Sequence, residues 1–280
     1  MSAVYQIQVP AAVPEDVSGY HLYIDMGADH LSFAVLEPVK KEFIALQHFN
    51  LEKYKVLTHC QEILSHNEWL GKHYTRTLIS YNFSDSILVP EKFYIPTLNE
   101  NALDLVYGDL NKGRLFADHV PEWELYHIYR VQEALHTIFT GQFPAAEFIH
   151  SYTSFLKIKK QKEAATDGDE LNVVFYNNKL IISLFRNGAL LLMRAFEYET
   201  SEDVAYHLLN LCKQFEVDCE KVTVIISGLI ADHSAVYAEL EKYFMFLQLD
   251  QRPAVFTYSE AFDEYPSHFF TAVFNAALCV

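Results

Sequence analysis

Residues 21–36 read HLYIDMGADHLSFAVL, and this stretch decides the fold. Period-two spacing on both sides of a short turn at Gly27–His30 is typical of two antiparallel strands. The pattern continues through a second turn at Pro38–Lys41 into Glu42–Phe49, whose residues also alternate. We therefore predict a three-strand meander over His21–Asn50.

The same pattern occurs a second time. Leu171–Tyr198 also reads as strand, turn, strand, turn, strand, and its Asn187–Gly188 pair predicts a hairpin turn because both residues tolerate positive φ. Each meander is followed by a helical stretch and then by an apolar strand, Thr77–Tyr81 in the first half and Val222–Ser227 in the second. A helix between two such strands favours a right-handed crossover to a parallel neighbour. The predicted fold class is α/β, with two related halves.

The repeat predicts two domains, residues 1–165 and residues 166–280. A lysine-rich run, Lys157–Lys162, precedes Glu163–Glu170, which is rich in Ala, Gly and Asp. This composition is typical of a hinge. The lysines are interpreted as a solvated helix end, and docking of an acidic partner is the alternative.

Spacing and capping residues predict the other elements. Apolar residues at helical spacing predict an amphipathic helix over Tyr54–Leu70 and another over Ser201–Phe215, for which Ser201 is the expected N-cap. We also expect helices at Asn99–Leu105, with Asn99 as cap, and at Gln132–Phe139, Ser234–Phe244 and Ser267–Leu278, and strands at Ser86–Val89, Glu124–Val131, Ala146–Tyr152 and Met245–Leu249. The last helix is almost wholly apolar, so it either packs into the second core or covers a partner.

The composition excludes several classes of protein. The chain has 280 residues, 51% of them hydrophobic, and a formal net charge of −16. Two cores can be filled, and this charge would repel nucleic-acid backbones and anionic lipid surfaces. Four scattered cysteines predict neither a disulfide framework nor a zinc site. No leader or membrane-spanning stretch is recognisable, so the expected location is a reducing cytoplasm.

Two copies of strand, strand, strand, helix, strand with a hinge between them resemble the actin-like superfamily, which includes Hsp70, sugar kinases, actin and pilus-assembly proteins. The stretch Tyr23-Ile-Asp25-Met-Gly27-Ala-Asp-His30 looks like the first phosphate loop of that superfamily. The layout, small size and aromatic richness are most similar to the DUF3822 family of uncharacterised Bacteroidetes proteins. The resemblance implies two ribonuclease H-like domains in an actin-like ATPase arrangement.

The resemblance also implies where a nucleotide would bind. In the superfamily the first hairpin carries an Asp that positions magnesium and water, and a glycine with a following Ser or Thr that lets backbone amides approach phosphate. Asp25 and Gly27 match this pattern, whereas Ala28 supplies no hydroxyl. The cofactor-binding residues would then be Asp25, Gly27 and, on the adenosine strand, Gly228, with ATP and magnesium as the ligands.

Two other parts of the superfamily pattern are incomplete. The second hairpin should repeat Asp-x-Gly, but we compare it with Tyr176-Asn177-Asn178, which has neither carboxylate nor glycine. The adenosine strand should end in two glycines, and Ser227-Gly228-Leu229 has one. The second phosphate clamp is therefore expected to be absent.

Each candidate residue also has an ordinary structural interpretation. Asp25 is a turn former that caps its own backbone, and Gly228 lets a strand turn sharply into a helix. A different alternative groups Asp25, Glu62 and Asp85 as the two-metal carboxylates of a ribonuclease H-like nuclease, which the net charge disfavours. His66 and His73 form no metal motif, and no metal is expected.

These observations favour a non-catalytic interaction or regulatory scaffold with degenerate nucleotide motifs. No cofactor is then expected, the partner is an unidentified protein, and homo-oligomerisation is left open. The alternative is a nucleotide-binding ATPase or kinase that uses Asp25, Gly27 and Gly228 in the cleft between the lobes.

Overall fold

The structure is a computed structural model that describes residues 3–8, 13–110, 112–161 and 167–279. As far as these residues reach, the chain forms two compact units: the first comprises Met1–Gln161, Val255–Phe262 and Ala272–Val280, and the second comprises Lys162–Ala254 and Asp263–Thr271. The C-terminal part of the chain therefore contributes to both units.

The predicted hinge and domain boundary fall largely on residues 162–166, which lie outside the described residues. The lysine run that precedes them belongs to the end of a helix, where Lys160 packs over the Trp123 ring with Nζ 5.3 Å from its centroid. Lys162 itself is outside the described residues.

The strands follow the alternating stretches of the sequence. They are β1 (Tyr5–Gln8), β2 (His21–Gly27), β3 (His30–Glu37), β4 (Glu42–Asn50), β5 (Arg76–Asn82), β6 (Ser86–Pro90), β7 (Arg114–Val120), β8 (Leu125–Val131), β9 (Glu147–His150), β10 (Asp169–Phe175), β11 (Lys179–Arg186), β12 (Ala189–Glu197), β13 (Thr223–Gly228), β14 (Phe246–Leu249) and β15 (Thr257–Tyr258). The helices are α1 (Val56–His66), α2 (Asn99–Tyr107), α3 (Glu133–Gln142), α4 (Ser151–Gln161), α5 (Ser201–Gln214), α6 (Ala235–Leu240) and α7 (Thr271–Ala276).

The main sheet of the first unit contains the predicted meander. Its strand order is β1-β4-β3-β2-β5-β9, and β15 also pairs with β4. Strands β2, β3 and β4 are antiparallel, and β5 returns parallel to β2 after α1, as predicted. One face of β2 and β3 supplies Leu22, Ile24, Met26, Leu31 and Phe33 to the core, which also holds the large side chains Trp69, Tyr81 and Phe139.

A smaller sheet follows in the first unit, with strand order β6-β8-β7. Two of its strands, β6 and β8, are predicted from the sequence, whereas β7 is not. In β7 the apolar residues Leu115, Phe116 and Ala117 are consecutive, so the sequence shows no period-two alternation. Helix α2 lies in the connection between β6 and β7.

The second unit repeats the plan of the first. Its strand order is β12-β11-β10-β13-β14, with β10 parallel to β13. The predicted hairpin turn is confirmed, since Asn187 has φ 49° and Gly188 has φ 77°. Helix α5 buries Val204, Leu208 and Leu211 against this sheet, in a core separate from that of the first unit.

Two predicted N-caps are wrong by one residue. Leu98, not Asn99, is the N-cap of α2, and no side chain caps that helix. Thr200, not Ser201, caps α5: its side chain accepts a hydrogen bond from the Asp203 amide while Asp203 accepts from the Thr200 amide. This reciprocal pair is a capping box, in which the acidic N3 residue identifies the residue three positions earlier as the cap.

The predicted terminal helix is shorter and lies elsewhere than expected. Only Thr271–Ala276 of Ser267–Leu278 is α-helical, and its Phe274 packs on Phe43 of β4 with ring centroids 4.8 Å apart. The helix therefore completes the first unit, not the second. The strand predicted over Ala146–Tyr152 also ends early, because Ser151 already begins α4.

Candidate functional site

The candidate site lies at the hairpin between β2 and β3. The register places Met26 opposite Leu31, so Gly27 and His30 flank the two-residue turn of Ala28 and Asp29. Because side chains alternate along a strand, Asp25, Gly27 and His30 occupy the face opposite the core face of Met26 and Leu31. This is where the sequence predicts phosphate contacts.

The side chains around the turn form a cluster, which we call the hairpin cluster: Asp25, Asp29, His30, Ser32 and His48. All are buried except Asp29, which is partly exposed. His30 donates from Nε2 to Asp25 Oδ2 at 3.2 Å and from Nδ1 to Asp29 Oδ1 at 2.7 Å. His30 is 1% exposed and Asp25 is 3% exposed. Asp25 thus lies within β2 and binds a histidine, which none of its three predicted roles includes.

The hairpin cluster holds His30 in its charged form. Burial alone would lower the pKa of His30, but the carboxylates of Asp25 and Asp29 outweigh it and raise its pKa to about 9. Both ring nitrogens donate to carboxylates, which requires an imidazolium. Two carboxylates and one imidazolium leave a net charge of −1, which opposes binding of a phosphate anion.

Gly27 is required by the His30 ring. A Cβ atom built on Gly27 would lie 2.4 Å from Cε1 and 2.7 Å from Nδ1 of His30. The imidazole therefore fills the space that a side chain on residue 27 would need.

A second histidine completes the hairpin cluster. Ser32 lies opposite both Asp25 on β2 and His48 on β4, and its hydroxyl contacts His48 Nδ1 at 2.7 Å. His48 Nε2 donates to Asn50 Oδ1 at 2.9 Å. Burial first, and then the positive charge of His30, lower the pKa of His48 to about 4. His48 is therefore neutral beside a charged His30.

The equivalent hairpin of the second unit carries different chemistry. Phe175 pairs with Leu180, and the Tyr176 amide donates to the Lys179 carbonyl at 2.8 Å across the Asn177–Asn178 turn. By this register Tyr176 corresponds to Gly27, and Val174 corresponds to Asp25.

This register corrects the sequence comparison, which aligned Asp-x-Gly with residues 176–178 and not with 174–176. The second hairpin still has no carboxylate and no glycine at the two key positions. Lys179 Nζ lies 5.2 Å from the centroid of the Tyr176 ring. A large side chain thus covers the turn in both units.

Gly228 ends β13 in a position where only glycine fits. Its φ is +86°, and a Cβ atom would lie 2.1 Å from the Phe175 carbonyl oxygen. Its amide donates to the His268 carbonyl at 2.9 Å, and the next amide, of Leu229, donates to Phe175. These contacts account for the glycine without a ligand, and a role in nucleotide binding stays a prediction.

The carboxylates of the nuclease alternative do not gather around a metal. Asp25 binds His30, whereas Glu62 is exposed on α1 and Asp85 precedes β6. Among the described residues, no group of three or more His, Cys, Asp or Glu side chains is placed to hold a metal ion. In the same part of the chain, no helix combines the length and apolar character needed to cross a bilayer.

Sequence reasoning missed His30, Asp29 and His48. One signal could have found His30: a two-residue turn after Gly27 places residue 30 directly across from it, and a large ring opposite glycine fills the space above the glycine. His48 and Ser32 could be paired only after the second turn of the meander had fixed the register of β4.

Solved structures share this fold. A protein from Bacteroides thetaiotaomicron VPI-5482 with actin-like ATPase fold and unknown function matches with TM-score 0.76 and 19% identity, over 84% of this chain and 91% of that chain. A chain of the PilM–PilN type IV pilus biogenesis complex matches with TM-score 0.60 and 12% identity, over 95% and 99%. The ethanolamine utilization protein EutJ from Carboxydothermus hydrogenoformans gives 0.52 and 8%, over 96% and 92%.

At these identities the likeness shows the fold alone: an actin-like ATPase fold with two ribonuclease H-like units, as predicted. None of the curated proteins matches the chain in sequence. Residues 13–246 match the family described as "Protein of unknown function (DUF3822)", and this span is most of the chain. The predicted resemblance is confirmed, and the chain belongs to the DUF3822 family.

Proposed function

We propose that this protein is a non-catalytic interaction or regulatory scaffold built on an actin-like ATPase fold. The observation that carries the proposal is the position of the His30 ring against Gly27, held from both sides by Asp25 and Asp29. The imidazole takes the place of a phosphate group at the first hairpin.

The energy needed to move His30 supports this proposal. A phosphate at Gly27 would require the imidazolium to leave its two carboxylates, and breaking a buried ion pair costs about 3–5 kcal/mol. That cost would weaken nucleotide binding by roughly two to four orders of magnitude. Phosphoryl transfer depends on positioned charge, and Val174 and Tyr176 supply none at the second hairpin.

A scaffold needs only its shape and surface to hold another protein. The structural neighbour from the PilM–PilN complex is itself one component of an assembly, so this fold is compatible with such a role. An unidentified protein is therefore the expected partner, and no cofactor is required.

Thermal unfolding with and without millimolar ATP and magnesium tests the proposal. Because a ligand that binds the native state raises its stability, a scaffold of this kind shows no shift in melting temperature. The matched variants are Asp25→Asn, at the hairpin, and Asp232→Asn, at an exposed position of the second unit. A rise of several degrees in the wild type and in Asp232→Asn that is lost in Asp25→Asn would overturn the proposal in favour of a nucleotide-binding protein.

A further inference from the structure

The first unit contains a cavity of about 220 Å³ beside helix α4. Its wall comes from β5, β7, β9, α4 and the C-terminal segment, all of which belong to that unit. Two side chains of opposite charge line it, Asp118 of β7 and Lys157 of α4. A concave site of this size with a few polar groups suits a small molecule.

Neutral donors hold Asp118 in one orientation. Its Oδ1 accepts from the Tyr129 hydroxyl at 3.1 Å, its Oδ2 accepts from the His150 amide at 2.9 Å, and the Thr153 hydroxyl also donates to it. Because a hydroxyl has one hydrogen, His127 Nδ1 must be the donor in its contact with Thr153 Oγ1, at 3.1 Å. A carboxylate has about four acceptor positions, so Asp118 can accept one more hydrogen bond.

The charge of Asp118 has no cation in contact with it. Burial raises the pKa of Asp118, although its hydrogen bonds and the charge of Lys157 act in the opposite direction. Lys157 is thus close enough to act on Asp118, yet among the described residues neither of the two forms an ion pair. A shielded charge is costly unless it is paired, so a ligand that meets both groups would be stabilised here.

The other groups at the cavity that can carry a charge already have partners. Glu147 of β9 binds Arg76 through both carboxylate oxygens, at 2.9 and 3.0 Å. His119 Nε2 lies 3.4 Å from Glu91 Oε1. One carboxylate and one ammonium group therefore remain for a ligand, which favours a zwitterion over a simple cation or anion.

The rest of the wall is largely uncharged. Leu78 pairs with Glu147, and Ile149 lies two residues further along β9, so both occupy the same face of the sheet. Burial raises the pKa of the Cys279 thiol, which is therefore neutral and donates to the Ser154 carbonyl at 3.5 Å. Such a surface suits a short aliphatic side chain.

We propose that this cavity binds a free α-amino acid with a short aliphatic side chain. The ammonium group of the ligand binds Asp118, its carboxylate binds Lys157, and its side chain packs on Leu78 and Ile149. Thr153 and Lys157 are four residues apart on α4 and lie on one face of the helix, so the same face orients Asp118 and binds the ligand. The proposal goes beyond the scaffold function and does not depend on it.

Calorimetric titration of the full chain with L-valine tests the proposal. Two matched compounds each lack one charged group: isobutylamine has no carboxylate, and 3-methylbutanoate has no ammonium group. Asp118→Asn and Lys157→Met each remove one charge from the cavity at nearly constant size. Lys159→Met is the control, because it removes the same charge from the same helix at a partly buried position outside the cavity wall.

We expect L-valine to bind the wild type and Lys159→Met equally, and to bind Asp118→Asn and Lys157→Met about tenfold or more weakly, since each loses a charge-assisted hydrogen bond. Both matched compounds should also bind the wild type about tenfold or more weakly than valine. Circular dichroism checks that each variant is folded. Lys157 is partly exposed, so Lys157→Met decides the test if Asp118→Asn does not fold.

Three results would overturn the proposal. The first is no saturable heat with millimolar valine. The second is equal binding of valine to the wild type and to Lys157→Met. The third is binding of isobutylamine or 3-methylbutanoate as tight as that of valine, which would show a site for one charge only.

These outcomes are separate from those of the thermal test, because the ligand and the variants differ. Nucleotide binding would overturn the scaffold function and leave the amino-acid site to be decided by valine. Failure of valine to bind would overturn the amino-acid site alone.

Discussion

Replacing Gly27 with alanine tests whether the His30 ring fills the space above that residue. Gly27 does not have a positive φ, so alanine fits the backbone, and the three atoms nearest to the added Cβ all belong to the His30 ring. The added Cβ would lie 2.4 Å from His30 Cε1, and the ring cannot move without losing its hydrogen bonds to Asp25 and Asp29.

The size of the effect follows from this geometry. Overpacking in a buried site costs about 1–3 kcal/mol, and loosening the ion pairs places Gly27→Ala at the upper end, about 3 kcal/mol. In a His30→Ala background the ring is gone, and the same substitution should cost less than about 0.5 kcal/mol. The coupling energy between the two positions is then about 2–3 kcal/mol.

Urea unfolding followed by tryptophan fluorescence measures this double-mutant cycle in the first unit alone. The two tryptophans of the chain, Trp69 and Trp123, both belong to that unit. Gly19→Ala is the control, because a Cβ atom there meets nothing within 4 Å. If Gly27→Ala has the same cost with and without the His30 ring, the reasoning is refuted.

Three further predictions concern stability. The folded pKa of His30, about 9, lies above its ordinary value of 6.5, so the stability that His30 contributes is present below pH 6.5 and is lost as the pH rises through 9. The difference in the free energy of unfolding between wild type and His30→Gln, measured in urea, should therefore shrink by about 3 kcal/mol between these limits. Gly228→Ala should lower the melting temperature far more than Gly188→Ala. Both glycines have positive φ, but only Gly228 has a backbone oxygen where Cβ would lie. Similar decreases in melting temperature for the two variants would contradict this. Thr200→Ala should lower stability by about 1 kcal/mol because it removes the cap of α5, whereas Ser201→Ala should be nearly neutral. If Ser201→Ala lowered the melting temperature more than Thr200→Ala, Ser201 would be the cap.

The local parts of the fold could be predicted from the sequence. The two meanders and their parallel partner strands follow from alternation and from turn residues, which act between neighbours in the chain. The placement of the C-terminal segment could not be predicted, because the pairing of Thr257–Tyr258 with Glu42–Phe43 joins residues that are more than two hundred positions apart. Its apolar helix is equally compatible with either core.

The candidate site could be predicted in part. The sequence indicates Asp25 and Gly27 as the important residues; Asp25 belongs to the hairpin cluster, and Gly27 lies against its His30 ring. It does not show that His30 faces Gly27 and binds Asp25, since that depends on the register of the turn and on the rotamer of a buried ring. The side chain that argues most strongly against phosphate binding is therefore visible only in the structure.

Calorimetric titration of the wild-type chain with ATP and magnesium tests the central claim most directly. If His30 takes the place of a phosphate group, no saturable heat is observed up to millimolar nucleotide, and His30→Gln alone leaves this unchanged because Val174 and Tyr176 still provide no second clamp. A saturating isotherm with a micromolar dissociation constant that Asp25→Asn abolishes would contradict the account.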